Sequence, residues 1–384
     1  MKIALIRKEF MDWYGGAERY AVSLARGLAV LGHSVHVFAG KCDNKQQPDI
    51  TIHKVPFIPT PSSLKNLSFQ RNVRKLLAGH DFDIVNGLSQ VFPQDVYRLG
   101  DGLHVHWLRI QTPNPGKRLL KYLSPRHQVI LSIERQIFKN GNYRRIIANS
   151  LMCKNQLIHY YGVPEDNIRL VYNGVDLKRF NQGIKDKLAD SSKGKLGISE
   201  RDTVLLFVGH NFKRKGLQFA IQCAIALKAQ GHRVKLLVAG RGNPAPFLRI
   251  AGEKGFSDDV TFLGHAKNIE EVYAASDILI HPVLYDPFSN VCLEAMACGL
   301  PVLTTKFNGA SEIIGDACTG LVVDSPWDVE KMVSGISPLL EDRRTRLRAM
   351  SESTTCIAQG YSVEKNIKKT VEVYEEVLRE KSLS

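Results

Sequence analysis

The chain lacks any apolar run long enough to cross a membrane. Its longest runs, such as Val204–Val208 and Leu236–Ala239, have strand length, whereas a membrane helix needs about 20 residues. The opening Met1-Lys-Ile-Ala-Leu-Ile-Arg7 is too short for a signal peptide and is closed by Arg7-Lys8-Glu9, so a cytoplasmic location is expected. There is no CxxC pair either. Seven scattered cysteines, Cys42, Cys153, Cys223, Cys292, Cys298, Cys318 and Cys356, speak against a disulfide framework or a zinc site and for reduced, mostly buried thiols. None sits in a glycine-rich turn beside a histidine, as a nucleophilic thiol would. No internal period of roughly 20–50 residues recurs, which excludes a solenoid. Acidic residues are scarce in the first 150 positions: 10 Asp and Glu stand against 22 Lys and Arg, so this stretch holds +12 of the net charge of +14. A field confined to one part of a chain implies an anionic partner there, a phosphorylated substrate or a membrane surface, unless it is a plain solvated surface. Nucleic acid is not expected, because no zinc finger, helix-turn-helix or aromatic RNA motif is present.

What is present is apolar content of 44% spread along 384 residues, enough for two cores of ordinary size. Strands and helices alternate twice. Lys2–Ile6 reads as a strand, and a helix that follows Gly15-Gly16-Ala17-Glu18 and runs through about Leu31 carries Ala21, Leu24, Ala25, Leu28 and Leu31 on one face before Gly32. Val35–Phe38, Asp83–Val85, Arg145–Ala148 and Arg169–Val171 read as further strands. The pattern restarts with the strand Thr203–Val208, the loop Gly209–Gly216 and the helix Leu217–Gln230. Val234–Ala239, Val260–Phe262, Ile278–His281, Pro301–Thr304 and Gly320–Val323 continue it. Such alternation predicts an α/β chain of two doubly wound parallel sheets. The boundary is placed at 172/173, in the turn Tyr172-Asn173-Gly174-Val175-Asp176. Lys185–Gly197, polar with Gly and Ser, reads as a surface excursion, and Val363–Leu378 as an amphipathic helix.

The densest motif is Tyr285-Asp286-Pro-Phe-Ser-Asn-Val-Cys-Leu-Glu294-Ala-Met-Ala-Cys-Gly-Leu-Pro-Val302. A helix starting at Ser289 as N-cap leaves the N–H groups of Phe288, Ser289, Asn290 and Val291 open. A helix start fed by a parallel strand suits an anion such as a diphosphate. Glu294 lies about 6–8 Å along the helix axis, within reach of a ribose, and Asp286 precedes the helix, where a sugar attached to the phosphates fits. In Val208-Gly209-His210-Asn-Phe-Lys213-Arg214-Lys215-Gly216 a strand runs into a turn with three cations. Arg214 and Lys215 are placed to neutralise a departing diphosphate. Gly15 and Gly16, in Gly15-Gly16-Ala17-Glu18-Arg19, let backbone approach a ligand closely. Gly100-Asp101-Gly102-Leu-His104-Val-His106-Trp107 follows a strand end. There Asp101, with His104 as the alternative, is the candidate to orient an acceptor hydroxyl or take its proton. His104 and His106 have no evident third ligand, so no metal is expected. Gly116–His127 interleaves Lys and Arg with Leu and Tyr, the composition of an interfacial segment.

The Asp286–Glu294 segment with its EAMACGLPV run resembles the E-x7-E signature of the glycogen-synthase-like family of retaining GT-B glycosyltransferases, with Asp in place of the first Glu. Lys215-Gly216 resembles that family's phosphate loop, with His210 where the family often has Arg. Ala148-Asn149-Ser150, Tyr172-Asn173-Gly174-Val175-Asp176 and Phe180 fit its linker region. The GGAER loop and the DGLHVHWL run look most similar to the lipopolysaccharide core glucosyltransferases. The resemblance implies two Rossmann-like domains facing a central cleft: 1–172 for the acceptor, 173–360 for the nucleotide sugar, and 361–384 as a helix crossing back to the first. It implies Asp286, Lys215 and Asp101 as catalytic, with Gly15, Gly16, Arg214, Lys215, Phe288, Ser289, Asn290, Val291 and Glu294 on the donor. UDP-glucose is then the donor, with no cofactor and no metal. The acceptor is an inner-core heptose on a phosphorylated, lipid-linked glycan at the cytoplasmic face of the inner membrane, whose anionic surface is a further partner. Another nucleotide sugar serving a different cell-surface polysaccharide, or a nucleotide-sugar epimerase of the same fold, are the alternatives.

Overall fold

A strand buried on both faces reads as a continuous apolar run, and such strands assemble into parallel sheets covered by helices. The computed structural model has two of these sheets. It describes residues 1–11, 15–43, 49–316 and 320–383; Cys318 lies outside them. The chain divides into two compact units, Met1–Tyr172 with Val363–Ser384, and Asn173–Ser362.

The first unit holds β1 (Lys2–Phe10), α1 (Gly16–Val30), β2 (Ser34–Cys42), β3 (Ile50–Lys54), α2 (Ser62–Leu77), β4 (Ile84–Gly87), β5 (Val96–Leu99), α3 (His104–Gln111), α4 (Pro115–Tyr122), α5 (Pro125–Phe138), β6 (Arg145–Ala148), α6 (Leu151–Tyr161) and β7 (Ile168–Leu170). Its seven strands run in the order β3-β2-β1-β4-β5-β6-β7, all parallel. Ile3 and Leu5 pack with Ala21, Leu24 and Leu28 of α1 on one face of the sheet. Ala4 and Ile6 pack with Phe38, Phe69 and Val73 on the other, as the two-residue period of a strand requires.

The second unit holds α7 (Gln182–Lys195), β8 (Thr203–Val208), α8 (Leu217–Ala229), β9 (Val234–Ala239), α9 (Ala245–Gly252), β10 (Val260–Gly264), α10 (Ile269–Ala274), β11 (Ile278–His281), α11 (Asn290–Ala297), β12 (Val302–Thr305), α12 (Ser311–Asp316), β13 (Gly320–Val323), α13 (Val329–Glu341) and α14 (Arg343–Gly360). Its six strands are ordered β10-β9-β8-β11-β12-β13, again all parallel. In both sheets the order reverses once, between β1 and β4 and between β8 and β11. Such a switch point opens a crevice at the carboxyl ends of the two strands.

The last helix, α15 (Val363–Ser382), belongs to the first unit. Ile367, Val373, Tyr374 and Val377 join that unit's core. Ile367 sits on Gly27 so closely that a Cβ there would come within 2.0 Å of its Cδ1, so a larger residue would have to push the Ile367 side chain aside. Glu376 accepts from Arg145 Nε at 2.8 Å and Arg169 Nε at 2.9 Å. Tyr361 and Ser362 stay with the second unit, because Val175 N donates to Tyr361 O at 2.9 Å and Val175 bridges Ser362.

One segment expected as a surface excursion is helical. Lys185–Gly197 is not an irregular excursion but most of α7. Asn181 caps the helix by accepting from Ile184 N, and Lys185 and Ser192, two turns apart, are both buried. The Gly and Ser content that reads as loop supplies a small residue to a packed helix face.

Candidate functional site

The turn after β8 is built by its aromatic anchor. Phe212 packs its ring against Phe207, Phe247 and Phe262, which fixes the middle of the loop. Gly216 ends it at φ +80, where a Cβ would lie 1.9 Å from Pro282 O; both the backbone conformation and the close approach demand glycine. Arg214 O accepts from Leu284 N at 2.9 Å, tying the loop to the segment after β11. His210 Nδ1 accepts from Arg241 N at 3.0 Å. The loop thereby carries Lys215 onto Asp286, and the two form an ion pair. Their side chains are only 13% and 8% exposed.

Asp286 is held from the turn after β12. Its N–H donates to Phe307 O and its carbonyl accepts from Gly309 N, each at 2.9 Å. Its carboxylate accepts from the Ser289 hydroxyl and from Phe288 N at 3.3 Å. Behind Ser289, His281 Nε2 stands 3.1 Å from Oγ. Asn308 accepts from Ser289 N and Ala310 N at 3.1 Å and donates to Thr304 Oγ1 at 3.0 Å. Burial alone would raise the Asp286 carboxyl, but Lys215 and Arg214 outweigh it and hold it down at about 2. Burial and the adjacent Lys215 push the His281 imidazole down to about 3, so it stays neutral.

That neutrality has a measurable consequence. In the unfolded chain His281 takes up its proton near an ordinary pKa of about 6.5. The stability it contributes is therefore complete above that pH and is lost as pH falls towards 3. Urea unfolding of the second unit is expected to weaken by about 1.4 kcal/mol per pH unit between about pH 6 and pH 4 through this residue alone. His281→Gln should flatten the slope by that amount; an identical slope in the variant would mean that His281 is not held neutral.

Ser289 is the N-cap of α11 by position, yet it caps no N–H group, because its hydroxyl is spent on Asp286. Of the four N–H groups expected to be open, those of Phe288 and Ser289 are taken by Asp286 and Asn308. Those of Asn290 and Val291 have no acceptor within the helix, as at any helix start, and are what it offers an anion. Glu294 lies in α11 with Oε2 accepting from Tyr273 Oη at 2.8 Å, both side chains buried. Tyr273, on α10, is steadied edge-on by Phe180. Lys215 follows β8 and Asp286 follows β11, so the cluster occupies the switch point of the second sheet. His281, Asn308 and Tyr273 are members the sequence alone did not single out.

In the first unit, Gly15 is the N-cap of α1 and Gly16 its first residue. Asp101 follows β5 and pairs with Arg7. His104 opens α3, and its Nε2 stands 2.9 Å from His127 Nδ1; burial lowers it to about 4. Its backbone N–H and that of Val105 donate to Glu134, a buried carboxyl that also accepts from Tyr161 Oη at 2.7 Å. Burial pushes Glu134 up to about 7 against those donors. His106 Nδ1 bonds Tyr160 Oη at 2.9 Å instead of facing His104. Cys153, Cys223, Cys292 and Cys298 are buried and form no disulfide, nor do the half-buried Cys42 and Cys356. Burial holds Cys223, Cys292 and Cys298 up at about 12, so none of these three is a thiolate.

Two Rossmann-like domains, the second with cations and a helix start gathered at its switch point, make a GT-B fold, and each half of the chain matches a glycosyltransferase family model. Residues 189–355 match the family model described as Glycosyl transferases group 1, and residues 14–179 match Glycosyltransferase Family 4. The lipopolysaccharide glucosyltransferase WaaG of Escherichia coli K12 is 27% identical over 325 residues, 83% of this chain and 84% of its own. The crystal structure of WaaG shares the fold with a TM-score of 0.85 at 23% identity, covering 97% of this chain and 99% of that one. Anabaena HepE in complex with UDP and glucose shares it with a TM-score of 0.73 at 20% identity, covering 98% and 99%.

Proposed function

We propose that this enzyme is a retaining hexosyltransferase that moves glucose from UDP-glucose onto an inner-core heptose of lipopolysaccharide or a similar lipid-linked glycan. The observation that carries the reading is the buried Lys215–Asp286 pair at the switch point of the second sheet. The second unit binds the donor. Lys215, Arg214 and the N–H groups of Asn290 and Val291, with Phe288 and Ser289 shaping the helix start, take the diphosphate. Glu294, held by Tyr273, takes the ribose. Asp286 takes hydroxyls of the sugar once Lys215 turns to the phosphates. Gly15 and Gly16 are the first unit's contribution to the donor phosphates. In the transfer, the bond between the sugar C1 and the diphosphate oxygen breaks and the acceptor oxygen bonds C1 on the same face. The acceptor proton passes to the departing phosphate, with Asp101 orienting the hydroxyl and His104 beside it. No cofactor or metal ion takes part in this scheme, since the cations are side chains.

The first unit presents the acceptor, and its excess of basic residues suits a phosphorylated, membrane-anchored one. Among the described residues no helix is long and apolar enough to cross a membrane. On α4 and just beyond it, Leu119, Leu120 and Leu123 are 62%, 69% and 62% exposed, beside Lys117, Arg118 and Lys121. Apolar and basic groups in one exposed segment fit the anionic cytoplasmic face of the inner membrane. Leu120→Ser with Leu123→Ser is expected to weaken sedimentation with phosphatidylglycerol-containing vesicles about tenfold or more, the loss of two leucines from an apolar phase. Equal sedimentation of variant and parent would place the membrane contact elsewhere.

The deciding measurement is transfer from UDP-, ADP- and GDP-sugars to lipopolysaccharide truncated after the heptose region, read as acceptor mass. Addition of one hexose from UDP-glucose alone is the expected result. Transfer from another donor only, or conversion of the nucleotide sugar without acceptor, would overturn the assignment in favour of a different transferase or an epimerase.

A further inference from the structure

Asp101 does not stand alone at its strand end; a buried guanidinium holds it. We propose that Arg7 is the positioning residue of the acceptor site, fixing Asp101 and locking it to the glycine loop through Glu18. The inference rests on the reading of Asp101 as the group that orients the acceptor.

The place comes first. Ile3, Ala4, Leu5 and Ile6 of β1 have no solvent exposure, and Arg7 continues the same strand with its side chain 9% exposed. β4 pairs with β1 only as far as Ile6 opposite Gly87. Arg7 therefore lies just past the end of β4, in the switch-point crevice of the first sheet, where α/β folds bind ligands. An apolar side chain would serve packing there, as in the four residues before it, and burying a guanidinium costs desolvation that only full pairing offsets.

The pairing is full. Nη1 donates to Leu88 O at 2.6 Å and to Asp101 Oδ2 at 2.9 Å, and Nη2 donates to Glu18 Oε1 at 2.7 Å. A planar fork reaches three acceptors on three separate segments, which a lysine ammonium does less well. The two carboxylates are not equivalent. Glu18 is 12% exposed and Asp101 62%, so Glu18 is spent on the lock and Asp101 is the one a ligand can reach. Asp101 sits between Gly100 and Gly102, the latter at φ +76, a backbone that does little to orient its side chain; Arg7 supplies the orientation. Glu18 also lies against the glycine loop, its Oε2 2.6 Å from where a Cβ on Gly15 would be. One arginine thus sets the acceptor carboxylate and the glycine loop together.

The test uses the full chain as wild type, Arg7→Lys, Asp101→Asn and the double variant. Readouts are UDP binding, melting temperature, and kcat and KM for truncated lipopolysaccharide with UDP-glucose. Arg7→Lys is expected to bind UDP as the parent does and to lose about 30-fold in kcat/KM for the acceptor, the scale of a misplaced group. In the Asp101→Asn background the same change should cost less than about threefold, because the residue it positions is already disabled. Full activity in Arg7→Lys, or an equal loss in both backgrounds, would overturn the proposal. Parental transfer by Asp101→Asn would instead sink the reading of Asp101 on which the proposal stands. If Arg7→Lys unfolds, Glu18→Gln keeps Arg7 in place and gives the same comparison, with a loss of about fivefold expected only where Asp101 is present.

Discussion

Replacing Lys215 with alanine is expected to lower turnover by about 10²–10³, the scale of losing one preorganised charge-stabilising group. The ammonium is brought to the switch point by three separate devices: the Phe212 anchor, the left-handed Gly216 and the tie from Arg214 O to Leu284 N. Negative charge on the diphosphate grows only as the glycosidic bond breaks, so the loss should persist at saturating UDP-glucose and appear in kcat more than in KM. The variant also leaves Asp286 buried without its cation, which destabilises the second unit on its own. Far-UV circular dichroism and UDP binding separate the two effects. Parental turnover in a folded Lys215→Ala protein would remove the residue from the mechanism.

The sequence made some elements readable to the residue and hid others, for physical reasons. The ranges expected for β6, β8, β9, β11 and β13 coincide with those observed; the interior strands among them are apolar runs bounded by turn residues because both faces are covered. β3 passed unnoticed: it is one edge of its sheet, and its Thr51, His53 and Lys54 give no apolar run. β1 was expected to stop at Ile6, since Arg7-Lys8-Glu9 looks like the end of an apolar stretch. It runs to Phe10 because it stays paired with β2 as far as Cys42, while Glu18 and Asp101 neutralise Arg7. In the second unit Lys215, Asp286 and Ser289 were legible because they lie in two short segments, one after β8 and one after β11, where composition and spacing are local. Their supports were not. Tyr273 meets Glu294 from 21 residues away and Arg7 meets Asp101 from 94; sheet order, not spacing, makes those contacts. Ser289 shows the limit in one residue. Its position at the helix start was readable, but its hydroxyl turns to donate to the ionised Asp286 instead of accepting from a backbone N–H group.

The buried pair itself permits a test that separates chemistry from stability. Removing one member of a buried ion pair costs about 3–5 kcal/mol, while replacing both by neutral groups of similar size is often neutral or stabilising. Asp286→Asn keeps the shape that Phe288 N and the Ser289 hydroxyl meet but strands Lys215 in a site where its side chain is 13% exposed. It is expected to destabilise the second unit by about 3 kcal/mol in urea unfolding. Adding Lys215→Met should return stability to within about 1 kcal/mol of the parent, since no unpaired charge then remains. Transfer should not return: both variants are expected to lose at least about 10² in kcat, the single one because the sugar hydroxyls lose their carboxylate, the double one because the leaving diphosphate loses its cation as well. Recovery of stability with turnover still absent identifies a pair kept for the reaction at a cost to the fold. Recovery of turnover in the double variant would show instead that the pair only packs, and that the diphosphate is held by Arg214 and the start of α11.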